Sequence, residues 1–466
     1  MKKFIALTLA LVLLAIGAIT AITAEIGSHD NTVTHTEKVI WGDPSAVEGA
    51  VVKSVSHYQN HLVWNSVYTV GKGTETEYKF HFVKHYSNGK PRLSGFLLHT
   101  DIAYGFNLNE PASKQTGIAR VYKELYDSLD YDEQGSKTIR LADYYDYYPI
   151  SVNINLPSLL WNATAESFSD GRSVISTAQN QNDKKVYDDI CNFFKIPVVD
   201  TEYVDISVSK HHGNNVGFGH GWSDKESDHY AIDTQSAYTD TVCFIAVSNR
   251  TLNGEIMDFS NIPGGYGIYA LPYEGAKLKS EELAMVYKLD EDAVVNHITV
   301  STDNSKLLLT VVEGGASYFE VVDIATMTQL QKFKINDGSH YIVYPNEGFI
   351  AYEFENHIAV IEEKNGIYEL AFVADKFFAD HTDNEYFYFR SGAALDFDGE
   401  KLIVVDNILT DQTWYDSCGF FMAVYDKNGL QYFGEYESSL DVNLSSSSNY
   451  NFNCRPMGHF EVSWKN

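Results

Sequence analysis

The last part of this chain repeats one cassette. Each copy holds an apolar strand, a tight Asp/Gly/Asn turn, a second strand, a third strand ending Val-x-acid, another polar turn and a fourth strand. The Val-x-acid marks are Val321/Val322/Asp323, Val360/Ile361/Glu362 and Val424/Tyr425/Asp426. Two copies also share an Asp-x-x-Lys-Leu junction, from Asp303 to Leu307 and from Asp398 to Leu402. A unit of short apolar strands cannot bury its own faces, so such units must stack on one another.

In the first copy the pattern predicts strands near Ile298–Ser301, Lys306–Val312, Ser317–Val322 and Leu330–Ile335. In the second they are near His340–Tyr344, Phe349–Phe354, His357–Glu362 and Ile367–Val373. In the third they are near Ala394–Phe397, Lys401–Val405, Gly419–Tyr425 and Leu430–Tyr436. Four-stranded units repeating about every 40–50 residues are the signature of a β-propeller. The expected fold class is therefore all-β, a single propeller of about seven blades, with six or eight as alternatives.

Two further units are legible upstream. One runs through Val51–Ser56, His61–Tyr68, Glu75–Val83 and Pro91–Leu98. The other runs through His229–Asp233, Thr241–Ser248, Gly265–Leu271 and Glu282–Leu289. Between them, Thr100–Lys210 is expected to hold two units and one short helix near 183–194, where Val186, Ile190 and Phe193 recur at helical spacing before Pro197. The C-terminal His459–Lys465 alternates apolar and polar residues and is expected to pair with the first blade, with Thr36–Trp41 as the alternative closing strand.

The segments Val300–Ile335 and Ala394–Tyr436 resemble blades of the broad YVTN/WD40-like repeat superfamily, most clearly within 295–436. The Gly-His and Trp-Asp pairs of true WD40 repeats are missing. The resemblance implies the architecture and no chemistry, because such scaffolds host unrelated functions.

The chain opens with Lys2 and Lys3 and then runs apolar from Phe4 to Ala24. Residues 1–24 read as a secretory signal peptide cleaved after Ala24, or as an uncleaved membrane anchor. Either way the remainder is expected outside the cytoplasm, secreted or anchored through residues 4–24. A lead-in over 25–50 precedes the propeller of 51–466, with insertions near 165–228, 249–264, 374–392 and 406–418. The net charge of −29 argues against nucleic acid as a partner. A membrane is a partner only if the N-terminal segment is retained, and a monomer is expected. Cys191, Cys243, Cys418 and Cys454 match no metal or redox spacing. They read as buried thiols, with a Cys418–Cys454 disulfide as the alternative.

Strands of a blade alternate in direction. Its a–b and c–d turns therefore lie at one end, and its b–c and d–a connections at the other. The short turns predicted here are of the first kind. The long connections, Asn249–Gly264, Ala374–Gly392, Asp406–Cys418 and His211–Asp228, are of the second. Function concentrates on long loops held by a rigid scaffold.

The candidate ligand-binding residues on them are His211, His220, Trp222, His229, Phe378, Tyr386, Trp414 and Tyr415. Loop histidines beside carboxylates suit metals, and loop aromatics suit sugars or peptides. No metal motif is matched, and the bland alternative is that these aromatics pack the loops onto the scaffold. The run Tyr144–Tyr148 reads as a strand with Tyr145 and Tyr147 on one face. Asp396–Gly399 is a turn acidic enough for calcium, but no cofactor is otherwise expected. No nucleophile elbow, phosphate loop or dinucleotide fingerprint is present.

The expected function is an exported, non-catalytic binding protein that presents its b–c and d–a loops to a protein, peptide or glycan. The alternatives are a secreted carbohydrate-active hydrolase or lyase, and a membrane-tethered sensor or regulatory domain.

Overall fold

The computed structural model describes residues 2–58, 61–82, 95–100, 108–115, 117–156, 159–163, 183–198, 200–211, 216–223, 234–248, 262, 264–338, 341–376, 393–408, 419–439 and 454–464. The chain divides into two compact units, one of residues 1–90 with 340–466 and one of residues 91–339.

The first unit begins with helix α1 (Lys2–Gly27) and strand β1 (His35–Gly42). Its first sheet joins β2 (Ala50–Tyr58), β3 (Leu62–Thr69) and β4 (Gly73–Phe80) to the C-terminal strand β28 (Cys454–Trp464), in the order β28-β2-β3-β4. A second sheet is the meander β20 (Tyr341–Asn346), β21 (Phe349–Phe354), β22 (His357–Lys364) and β23 (Ile367–Asp375). A third is β24 (Ala394–Phe397), β25 (Leu402–Asn407), β26 (Phe420–Asp426) and β27 (Gly429–Ser438), with β1 added outside β27. The first strands lie side by side, β24 between β20 and β28.

The second unit has the meander β16 (Val294–Val300), β17 (Lys306–Glu313), β18 (Ala316–Asp323) and β19 (Thr328–Asp337). Another is β11 (Thr234–Tyr238), β12 (Val242–Val247), β13 (Gly267–Glu274) and β15 (Ala284–Lys288), with the short β14 (Lys277–Leu278) on the far end of β13. A three-stranded sheet holds β5 (Gly95–Thr100), β7 (Ile150–Leu156) and β8 (Leu159–Ala163). Here β11 lies beside both β5 and β16.

The remaining sheet is not a meander. It is ordered β10-β9-β6, from β6 (Glu133–Arg140), β9 (Tyr203–Lys210) and β10 (Val216–Trp222). Helix α2 (Gly117–Ser128) packs on β9 and β6. Helix α3 (Asp183–Phe193) joins the same core through Val186, Ile190 and the following Phe194.

The middle strands explain the apolar runs in the sequence. Leu307 to Val312 of β17 are all buried, as are Phe420 to Tyr425 of β26. An unbroken apolar run bounded by turns marks a strand covered on both faces. The outer strand β19 is largely exposed over Thr328–Leu330, since no described residue covers that edge.

The polar marks of the cassette are turn chemistry. The Asp303 carboxylate accepts from the Ser305 amide (3.0 Å) and from the Ser301 and Ser305 hydroxyls. Asp398 accepts from the Glu400 (2.8 Å) and Lys401 (2.7 Å) amides at the equivalent turn. Asp323 and Asp426, the acids of the Val-x-acid ends, accept from the Thr326 and Asn428 amides, each at 2.7 Å. A short carboxylate bonded to the backbone two or three residues on holds such a turn without help from the rest of the fold. Asn365 and Gly366, with φ of 54° and 79°, close the two-residue hairpin between β22 and β23.

Several expectations are corrected. Pro91–Leu98 is not the fourth strand of the first unit: β5 belongs to another sheet, and the fourth strand is β28, which joins at the opposite edge beside β2. Both proposed closing strands form, but at different edges. The C-terminal one pairs with β2 and β1 pairs with β27. Among its described residues, Thr100–Lys210 carries two helices where one was expected. It supplies β7 and β8, lends β6 and β9 to a separate sheet, and carries a second helix, α2. Tyr144–Tyr148 is no strand, because a 3-10 turn over Leu141–Asp143 precedes it. Tyr145 accepts a bond from the Ile118 amide, Tyr148 is buried, and Tyr147 is exposed beneath the Lys195 ammonium.

Candidate functional site

In the first unit the two ends of the sheets differ. One end carries the tight turns 70–72, 347–348, 365–366, 398–401 and 427–428. The other carries the connections 81–94, 376–393, 408–419 and 439–453 alongside the tight 355–356 turn. In the second unit the long b–c connection 248–266 follows the same parity. The a–b connection 101–149 breaks it, so elaboration is not confined to b–c and d–a positions.

Beneath the elaborated end of the first unit lies a buried polar cluster. Glu353 sits next to the last position of β21, and Lys376 follows β23 at the root of the 376–393 connection. The Lys376 ammonium donates to Glu353 Oε1, and Tyr344 of β20 donates its hydroxyl to Glu353 Oε2 at 2.9 Å. Tyr425 of β26 donates to the Lys376 carbonyl at 3.3 Å, joining the second sheet to the third. Asp406, on β25 at the same end, is buried as well and accepts from the Asn407 amide. Burial pulls the Lys376 ammonium below the ordinary lysine range, with Glu353 pulling it back. Burial also drives the Tyr344 hydroxyl far above the usual phenol range, reinforced by the Glu353 charge. The cluster stays polar and oriented, and it fixes the base of the loop.

A second cluster clamps β1. Tyr432 donates to Glu37 Oε1 at 2.6 Å, Tyr436 donates to the same oxygen at 3.3 Å, and the two hydroxyls are 2.7 Å apart. In the second unit, Glu202 is fully buried just before β9, and neither carboxylate oxygen has a partner among the described residues. Burial raises it to about 8.

Of the residues singled out in the sequence, His211 is exposed at the turn end of the β9–β10 hairpin. His220 is exposed four residues along β10 from the pair that closes the hairpin, opposite Ile206. That spacing is about 13 Å of strand, so the two do not converge. Trp222 ends β10. The segment His211–Asp228 therefore contains a strand and is not one d–a loop. His229, Phe378, Tyr386, Trp414 and Tyr415 lie outside the described residues.

Among the described residues, no three or more His, Cys, Asp or Glu side chains gather as a metal site. In the Asp396–Gly399 turn, Asp396 accepts from the Phe397 and Trp464 amides and Asp398 from its own turn. Cys191 and Cys243 are free thiols raised by burial, Cys191 to about 12. Cys418 lies outside the described residues. The Lys376 cluster was missed in the sequence, where a lysine after an apolar strand looks like any solvent-facing lysine. Its partners are contributed by three other strands.

No protein-family model and no curated protein sequence matches this chain. Solved structures do match. A protein from Lactobacillus plantarum shares 9% identity, covering 83% of this chain and 95% of its own, at a TM-score of 0.28. A putative 6-phosphogluconolactonase from Bacteroides fragilis shares 10%, covering 84% and 95%, at 0.28. TolB from Acinetobacter baumannii shares 10%, covering 90% and 83%, at 0.24. At these scores none of them bears on reaction or partner. The architecture rests on the chain's own sheets: antiparallel four-strand meanders, set first strand beside first strand, are blades of a β-propeller.

Proposed function

We propose that this protein is an exported β-propeller that binds a protein, peptide or glycan through the b–c and d–a connections of its first unit. The observation that carries the reading is the contrast between the two ends of the same sheets. Tight turns close one end, while 376–393, 408–419 and 439–453 occupy the other. Long connections held by a rigid scaffold are where binding residues concentrate. The buried Lys376–Glu353–Tyr344 cluster supports it, because it roots the 376–393 connection in the core. Phe378, Tyr386, Trp414 and Tyr415 fall within these connections and suit an apolar or sugar-face contact.

The test replaces 409–418 with a two-residue Asn-Gly turn and 377–392 with a Gly/Ser linker of about eight residues, singly and together, leaving Lys376 in place. Each variant is screened against peptide and glycan arrays beside the parent chain. Parent binding that disappears in the double replacement, with an unchanged melting transition, supports the reading. Binding that survives both replacements overturns it.

A further inference from the structure

The N-terminal helix continues into the fold with almost no slack. Helix α1 ends at Gly27, and the chain is hydrogen-bonded to the outer edge of β4 a few residues later. The Asn31 amide donates to the Thr76 carbonyl at 2.8 Å. The Thr76 amide donates back to Asn31 Oδ1 at 3.1 Å, and the Tyr78 amide donates to Asp30 Oδ1 at 2.8 Å. The His29 ring packs near Tyr78, with centroids 6.2 Å apart. The clip thus runs antiparallel to β4, and the helix arrives from the Phe80 end of that strand.

That end carries exposed aromatic surface. Phe80 and Phe82 are 40% and 48% exposed, and they stack edge to face on each other at 4.7 Å. His61 lies beside Phe80, and Trp64 stacks on Tyr78 at 5.8 Å. Two exposed phenylalanines gain nothing from water, and aromatic side chains at the end of a membrane helix fit the interfacial zone of a bilayer.

The helix itself fits a bilayer better than it fits a removable leader. Its 25-residue span Lys3–Gly27 contains an 18-residue window with a mean hydropathy of 2.7, and none of that window is buried against the protein. At 1.5 Å per residue it is about 37 Å long, enough to cross a hydrocarbon core of about 30 Å. An h-region of a cleaved leader is typically only about 7–15 residues. A cut after Ala24 would also place Ile22 where an Ala-x-Ala site needs a small residue. Lys2 and Lys3 precede the span, which sets the N-terminus inside and the sheets outside.

We infer that α1 is a retained membrane anchor, and that the Asp30–Asn31 clip holds the Phe80/Phe82 end of β4 against the outer surface of the same bilayer. The elaborated end of the first unit's sheets is the end at which β4 finishes. That end of the sheets then faces the membrane, and this orientation does not depend on the ligand proposed above.

The full chain is reconstituted in zwitterionic phosphatidylcholine vesicles with radiolabelled acyl chains, so that its acidic charge plays no part. A photoreactive p-benzoylphenylalanine is placed at position 80, 82 or 72 in turn. Lys72 is the control, in the tight turn at the opposite end of β4 and about 26 Å of strand away from Phe80. Lipid labelling at 80 and 82 at least tenfold above that at 72 is expected. Equal labelling at all positions, or none at 82, overturns the orientation. The variant Asp30→Ala/Asn31→Ala should stay in the membrane fraction and melt as a folded protein, yet lose most labelling at 82. Full labelling in that variant overturns the role of the clip. Mass spectrometry of the N-terminus of the protein from its native membrane should find Phe4–Ala24 present, and a chain starting at Glu25 overturns the anchor itself.

Discussion

Lys376 and Glu353 form an ion pair whose side chains are 1% and 3% exposed. Such a pair contributes little net stability as a unit, because both charges have left water, but removing one partner strands the other. Lys376→Met is therefore expected to cost about 3–5 kcal/mol, because the buried Glu353 carboxylate loses its ammonium partner. The double variant Lys376→Met/Glu353→Met should recover most of that loss. Urea denaturation of the two single variants and the double closes the cycle. Additive losses would show that the pair is not coupled.

Gly42 ends β1 with a φ of 82°, and a Cβ there would lie 2.0 Å from the Gln431 carbonyl oxygen of the neighbouring β27 backbone. Neither the left-handed conformation nor that contact tolerates a side chain. Gly42→Ala should destabilise by about 1–3 kcal/mol or more and free the end of β1. Faster amide exchange at Val39 to Trp41, with β2 and β3 unaffected, is the local signature. Unchanged exchange there would refute it.

Glu202 gives the protein a pH dependence of definite sign. Its carboxyl is raised by burial from 4.5 to about 8, so the folded chain keeps the proton through a range in which the unfolded chain has lost it. Stability at this site is therefore greatest below about 4.5 and falls as the pH rises toward 8. Glu202→Met should stabilise by about 1–3 kcal/mol at pH 8, the cost of a buried polar group without a partner, and by less at pH 4. Chemical denaturation at both pH values checks this, and a gap that narrows toward pH 8 would contradict it.

Asp303 shows the opposite sign. Its bonds to Ser301 and Ser305 hold the carboxyl below the ordinary aspartate range. Its contribution is present above about pH 4 and is lost as the pH falls. Asp303→Ala should lower the melting temperature by a few degrees at pH 7 and by less at pH 2, where part of the contribution has been lost. A drop of equal size at both would mean that the carboxylate is not what holds the turn.

The repeat was readable because its code is local. Asp303, Asp323, Asp398 and Asp426 bond to backbone within their own turns. The apolar runs of β17 and β26 announce burial on both faces without reference to any neighbour. The candidate site was far less legible. Glu353, Lys376, Tyr344 and Tyr425 stand on four different stretches of chain, and nothing in the spacing says that they meet. The histidines of 211–229 show the same limit: a strand over Val216–Trp222 separates His211 from His220, and nothing in their spacing says so.

The amino-acid sequence by itself determined the strand grammar, the all-β class, the apolar N-terminal helix and the short helix over Asp183–Phe193. These follow from side-chain period and turn chemistry, which act within a few residues. Only the tertiary structure decided which edge each terminal strand joins, that β6 and β9 leave the blade order for a sheet of their own, and that Lys376 is buried against Glu353. Those outcomes turn on pairing and desolvation between segments far apart in the chain.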